Sequence, residues 1–95
     1  MTPFQKKIYD AVHGIPAGKV STYAHIAAVA GNPHAMRAVG NALNKNPFAS
    51  IPCHRVVRSD ARVGGFARGT RAKTRLLKKE GVIIKNGVID PSCFY

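Results

Sequence analysis

Ninety-five residues with 45% apolar side chains are enough for one domain, residues 1–95, and a single core, which excludes a disordered chain. Fifteen Lys and Arg against four acids give a formal charge of +11, too lopsided for internal ion pairing, so a polyanionic partner is expected, nucleic acid before a membrane surface. No apolar run approaches membrane-spanning length and MTPFQKKIYD lacks a signal peptide's apolar segment, so no membrane partner and a cytoplasmic location, or a nuclear one in a eukaryote, are expected.

Thr2-Pro3-Phe4-Gln5 predicts a helix start, with Thr2 as cap, Pro3 in the first turn and Gln5 completing a capping box. Phe4, Ile8, Ala11, Val12 and Ile15 then share one helical face, closed by Gly14 and Pro16. Residues 21–47, STYAHIAAVAGNPHAMRAVGNALNKNP, predict two short helices around a tight turn. Ser21 or Thr22 caps the first, which runs to about Ala30 with Gly31 at C′. Asn32 caps the second, Pro33 lies in its first turn, and Asn46-Pro47 ends it. The pair forms a helix-turn-helix, and beside the charge excess that motif favours DNA.

The second helix carries His34, Ala35, Ala38, Gly40, Asn41 and Ala42, all small or short, and Arg37 is its one long cation before Lys45. A helix that reads major-groove edges carries several long polar side chains. This one brings its backbone close to a partner and leaves one arginine prominent, which suits the minor groove and an inserted side chain. Taken singly, Ala35 and Ala42 fit better a small-residue seam against a neighbouring helix.

SIPCHRVV, residues 50–57, sets a cysteine between a proline and a histidine–arginine pair. A core thiol, half of a disulfide with Cys93 and a metal ligand are the ordinary readings. A reducing compartment disfavours the disulfide, and the lack of C-x-x-C or paired-histidine spacing disfavours zinc. Pro52 disfavours helix at Ile51. If residues 53–55 are extended, neighbouring side chains point to opposite faces, and His54 reaches the Cys53 sulfur only through a water. Of the four acids, Asp10, Asp60, Glu80 and Asp90, Glu80 beside Gly81 is the best candidate to orient the histidine. Downstream, RSDARVGGF reads as a turn and Gly-rich loop, and Thr70 caps a helix to Lys79 or Glu80 that Gly81 stops. VIIKNGVID is a hairpin around Asn86-Gly87. The expected fold is mainly α with a small β-hairpin, winged helix-turn-helix-like. Cys93, in the tail PSCFY, is expected to be a packing or incidental residue.

PCHRVV, preceded by GNPHAMRAVGNALNKNP and followed by VGGF and LLKKEG, resembles the C-terminal domain of O6-alkylguanine-DNA alkyltransferases, from about Thr2 through Gly81. The resemblance implies irreversible transfer of an alkyl (methyl) group from an O6-alkylguanine, flipped out of double-stranded DNA, to Cys53. It implies no metal and no organic cofactor, and the protein is expected to act as a monomer. His54 becomes the water-mediated base, Glu80 the residue that orients it, and Asn46 the brace of the turn presenting Cys53. Arg37 becomes the finger filling the gap left by the flipped base. Tyr23 stands near the 3′ phosphate and assists rotation and protonation of the base, and Lys73 lies near the same pocket. Ser21, Thr22, Ala35 and Gly40 join the DNA-contacting set. Phe66 and Ala67 line the pocket where well-known members have Tyr-Ser, so a hydroxyl toward O6 is lost. Full-length members also carry an N-terminal domain, which lies outside the resemblance. Small alkyltransferase-like proteins bind lesions without repairing them but typically replace the cysteine. A lesion sensor with an inert Cys53, and a helix-turn-helix regulator with Cys53 in its core, are the alternatives.

Overall fold

Helix α1 (Pro3–His13) begins at the expected cap: Thr2 Oγ1 accepts from Gln5 N at 3.1 Å, and Gln5 Oε1 accepts from Thr2 N at 2.9 Å. The computed structural model describes residues 2–46, 48, 50–65 and 69–95. Strand β1 (Ser21–Thr22) runs directly into α2 (Tyr23–Val29), because Thr22 leaves the strand as an N-cap whose hydroxyl accepts from His25 N at 3.0 Å. Helix α2 ends in a Schellman motif: Gly31 N donates to Ala28 O and Asn32 N to Ala27 O, both at 3.0 Å, with Gly31 at φ +100°.

The second helix of the pair, α3 (Met36–Asn44), starts later than the sequence predicts. Asn32 does not cap it. Its side chain accepts from His34 N at 3.2 Å, closing a local turn that carries Pro33 outside the helix. Ala35 is the N-cap and offers no side-chain hydrogen bond, so Arg37 sits in the first turn. Ala42 is buried and its carbonyl accepts from Tyr9 Oη at 2.8 Å, so at this position the small residue does form a seam, against α1.

Beyond the cysteine turn, β2 (Val56–Val57) pairs in parallel with β1, Ser21 opposite Val56 and Thr22 opposite Val57. Alternate side chains of β2 enter different cores. Val56 packs with Ile8, Val12, Ile26, Val39 and Leu43 under α1–α3, whereas Val57 packs with Val20, Leu77, Val82 and Ile89. Helices α3 and α4 (Thr70–Lys79) therefore lie on opposite faces of the β1–β2 pair.

The cap of α4 is Gly69 at φ +96°, not Thr70. Thr70 is already helical, and its hydroxyl donates across the preceding loop to Gly64 O at 3.2 Å. A second Schellman motif ends the helix, with Gly81 N on Lys78 O and Val82 N on Leu77 O, both at 3.0 Å. The hairpin β3 (Ile84–Lys85) and β4 (Val88–Ile89) follows in the position of a wing. Asn86 and Gly87 have φ of 54° and 76°, the pair of positive values that a type I′ turn requires. The tail then returns to the strand: Val20 N donates to Cys93 O and Tyr95 N to Val20 O, each at 2.8 Å. Cys93 is a buried, free thiol of the second core, as its setting in the sequence suggests.

Candidate active site and nucleic-acid interface

Residues 53–55 are not extended. Pro52 sits at φ −80°, ψ 67°, and Cys53 N donates to Ile51 O at 2.9 Å, which makes an inverse γ-turn. A single 3₁₀ turn, Cys53–Arg55, follows, closed by Arg55 N on Pro52 O at 3.0 Å. Proline's fixed φ sets this shape and leads the chain into β2. Asn46 staples the approach: its Nδ2 donates to Ile51 O at 3.2 Å and its Oδ1 accepts from Phe48 N at 2.9 Å. Cys53 is left half-buried at the edge of the first core.

On one side of this turn, His54 Nε2 lies 3.0 Å from Glu80 Oε1. A carboxylate only accepts, so Nε2 carries a proton, and in the neutral imidazole Nδ1 is the free acceptor. Glu80 is also gripped by Arg55, with Nε on Oε1 at 3.0 Å and Nη2 on Oε2 at 2.5 Å. Arg55 Nη1 reaches on to Ile15 O at 2.8 Å, tying the site to the end of α1. Glu80 is the C-cap of α4, where the helix dipole disfavours a negative charge. The Arg55 hydrogen bond, with His54 as a lesser partner, nevertheless holds its carboxyl below the usual range against the opposing effect of burial. Sequence reading singled out His54 and Glu80 but missed Arg55. The signal available was the shortage of acids, since a half-buried arginine among four carboxylates must share one. Gly18 is missed as well: at φ +87°, a Cβ there would stand 3.1 Å from Glu80 O, so this loop needs glycine to pass the cap.

Tyr23 and Lys73 form the other side. Lys73 is fully buried and donates to Val56 O at 2.6 Å, to Gly65 O at 3.1 Å and, at the limit of range, to Tyr23 Oη at 3.5 Å. Desolvation lowers its pKa to about 8, with a Cys53 thiolate acting in the opposite direction. Burial, then the same thiolate, raises the Tyr23 phenol. The three side chains thus share one electrostatic neighbourhood.

Arg37 and Gly40 line an open groove of about 630 Å³ with Tyr23, Met36, Asn44 and Arg58. Arg37 is exposed, Ala35 half-buried at the N-cap, and Thr22 spends its hydroxyl as the α2 cap. Ser21 departs from expectation. It is 2% exposed with its hydroxyl buried, because pairing with β2 turns it inward, so that side chain cannot reach a partner at the surface. Phe66 and Ala67 lie outside the described residues.

The chain is thus a helix-turn-helix fold with a hairpin wing, carrying a thiol beside a histidine–glutamate pair. Its residues 3–82 match the family described as 6-O-methylguanine DNA methyltransferase, DNA binding domain. A methylated-DNA–protein-cysteine methyltransferase of Methanothermobacter thermautotrophicus is 45% identical over 85 residues, 88% of this chain and 47% of that protein. The structure of S. pombe Atl1 in complex with damaged DNA containing O6-carboxymethylguanine superposes with a TM-score of 0.87 at 36% identity, covering 100% of this chain and 96% of that one. Mycobacterium tuberculosis OGT in complex with DNA gives 0.79 and 40%, covering 84% and 50%. The chain belongs to the 6-O-methylguanine DNA methyltransferase family through its DNA-binding domain, and spans about half the length of the curated relatives it matches.

Proposed function

We propose that this chain repairs double-stranded DNA by moving an alkyl group from O6-alkylguanine to Cys53 in a single turnover, without cofactor and as a monomer. The observation that carries this reading is the 3.0 Å contact of His54 with Glu80 beside Cys53 on one turn. With Nε2 committed to Glu80, His54 Nδ1 takes the thiol proton by way of one water. The thiolate attacks the O-alkyl carbon; an S–C bond forms, the C–O6 bond breaks, and its electron pair leaves with the guanine. Tyr23, whose raised pKa keeps it a phenol at neutral pH, gives the departing base a proton that Lys73 returns.

A base inside the stack cannot reach a half-buried thiol. Flipping costs a few kcal/mol, which Arg37 offsets by entering the vacated space. Thr22, Ala35 and Gly40 meet the backbone around it. Such a substrate puts the protein with the chromosome, in the cytoplasm or a nucleus.

The test is peptide mapping after incubation with excess O6-methylguanine duplex. One methyl group is expected, on the peptide containing Pro52-Cys53-His54, and none on Cys93. Cys53→Ser is expected to bind the lesion and gain nothing. Tight lesion binding by the wild type with no change in mass would turn the reading to lesion sensing. One preferred operator on undamaged DNA would turn it to a regulator.

A further inference from the structure

The charge excess does not sit where the helix-turn-helix would use it. Helix α3 holds Arg37 alone before its C-cap Lys45, whereas α4 carries Arg71, Lys73, Arg75, Lys78 and Lys79. Lys73 is buried, and the rest of α4's cations are exposed. Arg71, Arg75 and Lys78, spaced i, i+4, i+7, share one face with Thr70 and Thr74 and line a shallow groove of about 530 Å³. That face has no acidic side-chain partner among the described residues, since all four acidic side chains are engaged elsewhere. Asp10 pairs with Lys6 at 2.9 Å, Asp60 with Arg58 at 2.9 Å, Glu80 with Arg55 and His54, and Asp90 with Ser92. Three long cations in one row, unpaired and repelling one another along a helix, cost stability unless an anionic surface meets them.

A line of phosphates fits that row. Helix α3 and helix α4 lie on opposite faces of the β1–β2 pair, so a straight duplex seated on α3 does not also run along the outer face of α4. We propose that the Arg71–Arg75–Lys78 face is a second phosphate-backbone site that holds a separate DNA duplex, so that one molecule bridges two segments. The bridging half of this inference rests on the proposed binding of DNA by the helix-turn-helix.

The test tethers one undamaged duplex to a surface, adds protein, and reads capture of a second, labelled duplex. The wild type is expected to capture it. If three phosphates are neutralised, the capture constant should fall about 40-fold between 50 and 200 mM salt. The triple variant R71Q/R75Q/K78Q is expected to keep its circular dichroism spectrum and its binding to the tethered duplex, and to capture the second duplex at least tenfold less. The single variant R71Q, with a smaller loss, repeats the measurement should the triple variant fold poorly. Capture that survives these substitutions, as bridging through a protein dimer would, overturns the proposal. So does binding of the tethered duplex by the wild type with no capture of the second. Failure to bind even the tethered duplex overturns the helix-turn-helix reading along with it.

Discussion

On one flank of Cys53, Glu80 is a carboxylate held by two side chains; on the other, Lys73 is an ammonium held by backbone carbonyls. Both are charges drawn out of water, yet they shift in opposite senses. Arg55 favours the charged form of Glu80 more than burial opposes it, so that flank keeps a fixed negative charge at neutral pH. Around Lys73 desolvation is the larger effect, and its carbonyl partners accept from an amine as well as from an ammonium. In the proposed reaction the first flank orients a proton acceptor and the second parts with a proton. What separates them is a hydrogen-bonded countercharge: Glu80 has one in Arg55, and Lys73 has none among the described residues.

The largest expected effect comes from breaking the first flank. Glu80→Gln or His54→Ala should slow alkyl transfer by about 100-fold while leaving lesion binding within a few-fold, as loss of a positioned base does. The double variant should be little slower than the more impaired single one, because the two act as one unit. Single-turnover rates that fall additively would separate them.

The second flank makes a prediction of its own about pH. The folded-state pKa of Lys73 is depressed to about 8, from 10.5. Below pH 8 the lysine is protonated both folded and unfolded, and the cost of burying it is fully present. Between about 8 and 10.5 the unfolded chain binds more protons, so stability rises with pH. From pH 7.5 to 9.5 the wild type should gain about 2 kcal/mol relative to Lys73→Met, as read from urea unfolding. Parallel curves would mean that Lys73 has no depressed pKa.

Arg37→Ala leaves both Glu80 and Lys73 in place and calibrates both flanks. Transfer from a duplex should drop about tenfold and transfer from free O6-alkylguanine should stay within about twofold, since only the duplex has a stack to fill. Equal losses on the two substrates would make Arg37 a structural support.

The smallest effect is expected from Arg55→Lys, which keeps the charge and loses the two-pronged grip. A carboxylate with a depressed pKa contributes stability that is present above its unfolded value and lost as pH falls through the folded one. The variant should therefore unfold at higher pH during acid titration, by a few tenths of a unit, with transfer at neutral pH slowed only a few-fold. An unmoved acid transition would show that His54 alone sustains Glu80.

Elements with a local code were legible in the sequence: the capping box at Thr2, glycines at both helix C′ positions, and the Asn86-Gly87 turn. The parallel β1–β2 pair was not, because two residues carry no readable period and their partners lie 35 positions apart. Asn32 and Thr70 misled for a related reason, since each is a good cap by type whose hydrogen bond goes elsewhere. At the site, residue types suggested His54 and Glu80, whereas the conformation of residues 53–55 was misjudged. Pro52 restricts the chain without revealing that an inverse γ-turn and a 3₁₀ turn follow. Arg55 and Gly18 owe their places to contacts with Glu80 across the fold, beyond the reach of any local pattern.

The return of the tail to Val20 has a consequence for solubility. A strand that leads into α2 with open backbone groups would be a template for pairing with another chain. Cys93 and Tyr95 occupy both the N–H and the carbonyl of Val20 and leave a stranger nothing to pair with there. Residues 93–95 thus act as a guard against self-association, at a point one strand away from Tyr23 and about seventy residues away along the chain. Aggregation on storage, more than loss of chemistry, is the fault that trimming them should bring.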